Sequence, residues 1–371
     1  MDRQLTLVVK SSKFCNLRCR YCYEFAELGS RDRMGRANLR RLYRTVRDHV
    51  VAADARDGAR TTVNLIWHGG EPLLLPPEYY WETFADLRAE LAGVPHRNVV
   101  QTNLTVLDDA RLDLLRTGFD SVGVSVDLFG GLRVNQAGRD SQDRVLANLE
   151  RLRAEGVPHG CITVLTAANI RRVEEIFEHY VRTRTSFRVL PLFDGAFTGQ
   201  HTGYDVSSAE IVTALTTLFD LWLASPAPIT IDPVTEYVER ALRYLGGAPP
   251  RYYDRRAWLD TLLVDTNGDA YAYGDPYGEP GAALGNVFTT PLTDVLSGPA
   301  FDRSARTAET RIAANCVGCA LFGACDGSYV AEAEPAARTV DPATGVRACV
   351  VERAVLTHIT NRLRTVPDLV A

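Results

Sequence analysis

Six times before residue 225 a short apolar run is followed by a longer stretch with helical spacing, and that rhythm leaves few folds open to the chain. The strand-like runs are Leu5–Val9, Val63–Trp67, Val99–Thr102, Ser121–Val126, Cys161–Leu165 and Phe187–Leu192. The helical stretches are Ala37–Ala53, Glu78–Leu91, Asp108–Arg116, Ser141–Glu155, Ile170–Arg184 and Ala209–Ala224. Asp108 and Asp140 stand where N-caps belong, and Gly118 and Gly156 lie just past helix ends. Six βα units in series predict an α/β fold, a parallel sheet with helices outside. Periodicity does not separate a curved partial barrel from a flat doubly wound sheet.

After residue 225 the character changes. Pro226, Pro228 and Pro233 precede a helix-like run from Val234 to Leu245, and Gly246–Pro250 breaks it. This divides the chain into a βα region over 1–225, a linker with a helix over 226–257, and a Gly- and Pro-rich region over 258–371. The last region holds four of the eight cysteines. With 46% hydrophobic and 23% charged residues the composition is that of a soluble globular protein. A net charge of −5 offers no basic surplus for nucleic acid. No run approaches the roughly 18 apolar residues of a membrane span, and no signal peptide opens the chain. The cysteines cluster at metal-ligand spacings, which suits a reducing cytoplasm better than a disulfide framework. Cys161 stands alone in a strand-like run and reads as packing.

The first cluster of cysteines carries the chemistry. Cys15, Cys19 and Cys22 lie in a C-x3-C-x2-C run directly after the first strand. Thiolates are soft ligands, and three of them leave one position of a four-coordinate metal site open. A zinc knuckle with a distant fourth ligand is the competing reading. The second strand ends in His68-Gly69-Gly70-Glu71-Pro72, where paired glycines allow close backbone approach beside a carboxylate.

Together these segments resemble the radical S-adenosylmethionine (SAM) superfamily. The resemblance implies a partial (β/α)6 TIM-like barrel with its site at the C-terminal ends of the strands. It implies a [4Fe–4S] cluster on Cys15, Cys19 and Cys22, with SAM on the fourth iron and its amino group on Gly69, Gly70 and Glu71. Asn103, Ser125 and Asp127, at the third and fourth strand ends, become contacts to the ribose or the sulfonium side. Arg133 becomes a partner of the SAM carboxylate, and Tyr21 a neighbour of the adenine. Val164 and Leu165 would give the adenine apolar contact. His68 receives no role.

A second set follows at Cys316, Cys319 and Cys325, with Cys349 at a distance. Four thiolates would close a zinc or an iron–sulfur site. With Asn267–Tyr271 and Ala283–Val287, the set resembles the SPASM domain that peptide-modifying radical SAM enzymes carry behind the barrel. That pattern ligates two auxiliary clusters, but Tyr273 and Tyr329 stand here where two of its cysteines are expected. The resemblance thus implies one auxiliary [4Fe–4S] cluster, the distal one, and an open place near Tyr273–Tyr277. Asp275 lies one residue away from where sulfatase-maturing relatives put a catalytic aspartate.

The implied activity is that of an oxidoreductase and peptide maturase. A 5′-deoxyadenosyl radical would attack a C–H bond on a side chain of a ribosomally made peptide or protein, ending in a cross-link or dehydrogenation. A flavodoxin- or ferredoxin-type reductant is implied. With the first strand starting at residue 5, leader recognition is expected to need a separate protein or a direct contact. The alternatives are a dehydrogenase or epimerase of a small-molecule intermediate, and a non-catalytic metal scaffold.

Overall fold

A computed structural model describes residues 2–192, 203–275, 277–279, 281–332 and 349–365. The βα alternation is present, with β1 Asp2–Ser12, α1 Arg36–Asp57, β2 Arg60–Gly69, α2 Pro77–Glu90, β3 His96–Thr102 and α3 Asp109–Thr117. It continues through β4 Ser121–Ser125, α4 Gln142–Ala154, β5 His159–Leu165, α5 Val173–Thr183, β6 Phe187–Pro191 and α6 Ser208–Ala224. A further βα pair, β7 Ile231–Asp232 and α7 Val234–Leu245, lies inside the stretch read as a linker. All seven strands pair in parallel and in chain order. The strand β7 at one end and the Gly285–Asn286 strand, β10, at the other stay unpaired with each other, so the sheet is an open one.

Side-chain caps account for two helix starts. The Asp108 carboxylate accepts from the backbone N–H of Arg111 at 2.9 Å and caps α3. Ser207 and Glu210 form a reciprocal capping box at the start of α6. Asp140 is not the N-cap of α4. The helix starts one residue later, and the Asp140 carboxylate accepts from Gln142 N at 2.9 Å instead. The stretch from Ile170 opens as a short 3-10 turn, Ile170–Arg172, before α5 begins.

Strand alternation gives the sheet two faces. Leu5, Leu7, Val9, Leu65, Trp67, Val100, Val122, Val124, Cys161 and Val189 pack under the helices and are almost fully buried. The opposite face is the lumen. Register places Lys10 beside His68 there, and Gln101 beside Gly123. Polar residues thus gather on that face at the C-terminal ends of the first four strands.

The C-terminal region joins the same sheet. β8 Thr261–Val264 pairs in parallel with β1, and β9 Asp269–Ala272 and β10 Gly285–Asn286 follow in antiparallel order. The turn between β8 and β9 needs a glycine: Gly268 has φ +93°, and a Cβ there would stand 2.4 Å from the Phe288 ring. The helix Val351–Leu363 packs on α6 and α7. No helix among the described residues is long and apolar enough to cross a membrane.

Candidate functional site

The cysteine loop is fastened to the end of β2 by backbone alone. Gly70 N donates to Ser12 O at 2.7 Å, and Glu71 N donates to Phe14 O at 2.9 Å. The approach is so close that a Cβ on Gly69 would stand 2.1 Å from Ser12 O. A Cβ on Gly70 would stand 2.4 Å from the carbonyl oxygens of Lys13 and Phe14. The paired glycines are what let the two segments touch.

Cys15, Cys19 and Cys22 come together in a small apolar nest with Leu17 and Leu28. Burial pushes the thiols of Cys15 and Cys22 up to about 12, helped by the negative charge of Glu71 and Cys19 at Cys15, and of Cys19 and Glu24 at Cys22. Cys15 and Cys19 are buried and Cys22 half-buried, and to stand as thiolates the three would need a compensating soft cation. Asn103 reaches Cys15 itself, its Nδ2 lying 3.7 Å from the sulfur, and also donates to Asn16 Oδ1 at 3.0 Å. The geometry therefore puts Asn103 on the cysteine loop rather than only at a ribose.

Glu71 is fully buried and already engaged. Its carboxylate accepts from Leu73 N at 2.9 Å, Thr102 Oγ1 at 2.6 Å and Asn103 N at 2.6 Å. A carboxylate has about four acceptor sites, so one is left for a ligand donor. Ser125 accepts from Gln101 Nε2 at 2.8 Å on the lumen face. Tyr21, Asp127 and Arg133 form one network. The Tyr21 hydroxyl donates to Asp127, Arg133 Nη1 donates to the Tyr21 oxygen at 2.7 Å, and Asp127 also accepts from Val164 N at 2.8 Å. Arg133 Nε is buried with no hydrogen-bond partner among the described residues. An orphaned guanidinium N–H beside the cysteines fits an absent carboxylate.

Two expectations need correction. Leu165 does not face the lumen. It is fully buried in the core with Cys161, because alternation along β5 turns Val164 the other way. Asp275 is bound up in a buried ion pair. Arg255 Nη1 lies 3.2 Å from its Oδ1, and Ser304 Oγ donates to its Oδ2 at 2.5 Å. Arg255 also donates to the carbonyls of Tyr273 at 3.2 Å and Ala331 at 3.4 Å, and pairs with Glu332 at 3.5 Å. This network engages both carboxylate oxygens of Asp275, where an unpaired aspartate was expected.

One cluster went unread in the sequence. Lys10 is 1% exposed, ion-paired with Glu24, bonded to Tyr23, and 3.3 Å from His68 Nδ1. Its ammonium also lies over the rings of Tyr23 and Tyr277. His68 Nδ1 accepts from Gly69 N at 2.8 Å, which assigns the ring proton to Nε2. Burial and the lysine hold His68 well below its ordinary range, so the imidazole is neutral. The available signal was a lysine closing an otherwise apolar strand.

Cys316, Cys319, Cys325 and Cys349 line one cleft with Leu321, Phe322 and Tyr329, part of it open to solvent. Burial and mutual repulsion raise the Cys316 thiol to about 11. Among the described residues no three His, Cys, Asp or Glu side chains gather tightly enough to hold a single ion. Four thiols around one cleft have the donor set of an iron–sulfur cluster or of a zinc site.

The Radical SAM superfamily is matched over residues 9–180. A serine-type anaerobic sulfatase-maturating enzyme of Bacteroides thetaiotaomicron is 23% identical over 357 residues, covering 86% of this chain and 83% of the relative. The structure of native anSMEcpe with bound AdoMet and Cp18Cys peptide superposes with a TM-score of 0.73 at 17% identity, covering 99% of this chain and all of that one. Streptococcus suis SuiB bound to S-adenosylmethionine gives 0.59 at 16% identity, covering 87% of this chain and 72% of SuiB. Both likenesses support the partial-barrel fold.

Proposed function

Since the chain belongs to the radical SAM superfamily, we propose that it oxidatively modifies a side chain of a ribosomally made peptide or protein, as a SPASM-type maturase. The observation that carries this reading is the pair of thiol sites on one fold, three cysteines at the barrel mouth and four in one cleft behind it. The near full-length relative is a sulfatase-maturating enzyme, which points to a peptide rather than a free small molecule.

The cofactors are SAM and two [4Fe–4S] clusters. Cys15, Cys19 and Cys22 would hold the first cluster, and Cys316, Cys319, Cys325 and Cys349 the auxiliary one. Held at the mouth by these residues, SAM and its cluster would supply radical hydrogen-abstraction chemistry toward an unactivated carbon. The chain's own residues bind and orient. Gly69, Gly70 and the last acceptor site of Glu71 would hold the SAM amino group, and Arg133 Nε would pair with its carboxylate. Tyr21 and Asp127 hold Arg133 in place, with Ser125 on the lumen wall nearby. Residues 258–371 would form the auxiliary-cluster unit, fed by a flavodoxin- or ferredoxin-type reductant in the cytoplasm. A separate leader-binding protein would present the substrate. Anaerobic co-incubation with candidate precursor peptides tests the reading by mass spectrometry. Loss of hydrogen from a peptide supports it, and modification of only small-molecule substrates overturns it.

A further inference from the structure

The four-thiol cleft has a fixed positive charge beside it. Arg240, on the face of α7 turned toward the cleft, is 18% exposed in its side chain. Its Nη1 donates to the Tyr329 hydroxyl at 2.8 Å and its Nη2 to Ser328 Oγ at 3.1 Å. The guanidinium carbon lies 4.2 Å from the centre of the Tyr329 ring, and Nη2 is 3.7 Å from the carboxylate of Asp326. Tyr329 and Cys325 both line the cleft, and Arg240 is close enough to Cys325 to act on its charge. Tyr329 stands where the two-cluster pattern expects a cysteine. Here that position anchors an arginine instead.

We propose that Arg240 sets the electron affinity of the cluster held by Cys316, Cys319, Cys325 and Cys349, stabilising its reduced form. The proposal rests on reading those four cysteines as a cluster site. Reduction adds one negative charge to the cluster, and cluster potentials follow net charge and hydrogen bonding around the sulfurs. Three fixed binding partners keep the arginine from swinging out to solvent. Opposing it are Asp326, Glu236 at 3.8 Å from Arg240, and Glu352 at 3.5 Å from Cys349 Sγ. Arg353 adds a second cation to the cleft wall. Among these, Arg240 is the cation held by both a ring face and two hydroxyls.

The test is a potentiometric titration of the holoprotein with dithionite as electron donor, followed by electron paramagnetic resonance. Added SAM identifies the signal of the first cluster, because only that cluster has an open iron. At the wild-type midpoint, Arg240→Met should lower the reduced-to-oxidised ratio of the auxiliary cluster about tenfold, or about 59 mV for one electron. Arg240→Lys keeps the charge and should stay within about threefold, about half that shift. Glu236→Gln should move the midpoint upward. An unchanged midpoint in a fully loaded Arg240→Met protein overturns the proposal, as does an equal shift in Arg240→Lys. If Arg240→Met loses the cluster, Glu236→Gln decides, and the absence of an upward shift there overturns it. Failure to modify any peptide would count against the maturase reading and leave these midpoints interpretable.

Discussion

The carboxylate of Glu71 accepts a 2.6 Å hydrogen bond from the backbone N–H of Asn103, tying the end of β2 to the end of β3. Asn103 in turn reaches the sulfur of Cys15. A residue expected to serve a ligand is therefore also a brace for the loop that carries the first cysteines.

Glu71→Ala should weaken SAM binding roughly tenfold or more, the usual cost of losing a hydrogen bond to a charged group. It should also lower the melting temperature, because Thr102 Oγ1 and the N–H groups of Leu73 and Asn103 lose a buried acceptor. Calorimetric titration with SAM and thermal unfolding of the loaded protein check both. Unchanged SAM affinity would show that the pocket lies elsewhere.

Iron analysis after anaerobic reconstitution should find about eight irons per chain, from two cubane clusters. Replacing Cys15, Cys19 and Cys22 together by alanine should leave about four and abolish 5′-deoxyadenosine formation. Gly70→Ala should approach the same count with every thiol intact, since its Cβ would collide with Lys13 O and Phe14 O. A Gly70→Ala protein with full iron would mean the loop adapts without its close backbone contact.

Asp275→Ala removes one partner of a buried ion pair and should destabilise the protein by about 3–5 kcal/mol in urea unfolding. The folded fraction should cleave SAM and modify peptide at normal rates. A fully stable Asp275→Ala protein that cleaves SAM and leaves peptide untouched would return this residue to a chemical role.

Cys325→Ala should still cleave SAM but give little oxidised peptide, so that 5′-deoxyadenosine accumulates without product. Quantifying both by mass spectrometry checks the coupling. Normal product yield from a folded Cys325→Ala protein would assign the C-terminal set to structural support.

Much of the barrel was legible because its signals are local. Apolar runs, the Asp108 cap and the helix Val234–Leu245 all stand where the sequence places them. The seventh strand, Ile231–Asp232, was missed because two residues carry no periodicity. The thiol sets were readable from spacing, whereas their surroundings depend on partners far apart in the chain. Arg255 meets Asp275 across 20 residues, and Tyr21 meets Asp127 across 106. Leu165 was misread because one step along a strand reverses the side that a residue faces.

The parallel pairing of β8 with β1 has a consequence for any attempt to divide the chain. Ending it after residue 257 would strip β1, the strand that leads into the cysteine loop, of a neighbour and bare its Thr6–Val9 hydrogen-bonding groups as a sheet edge. Such an edge recruits other strands, so the shortened protein should self-associate before it could be tested for cluster binding. The strand that leads into the first cysteines has its edge covered by a segment more than 250 positions away.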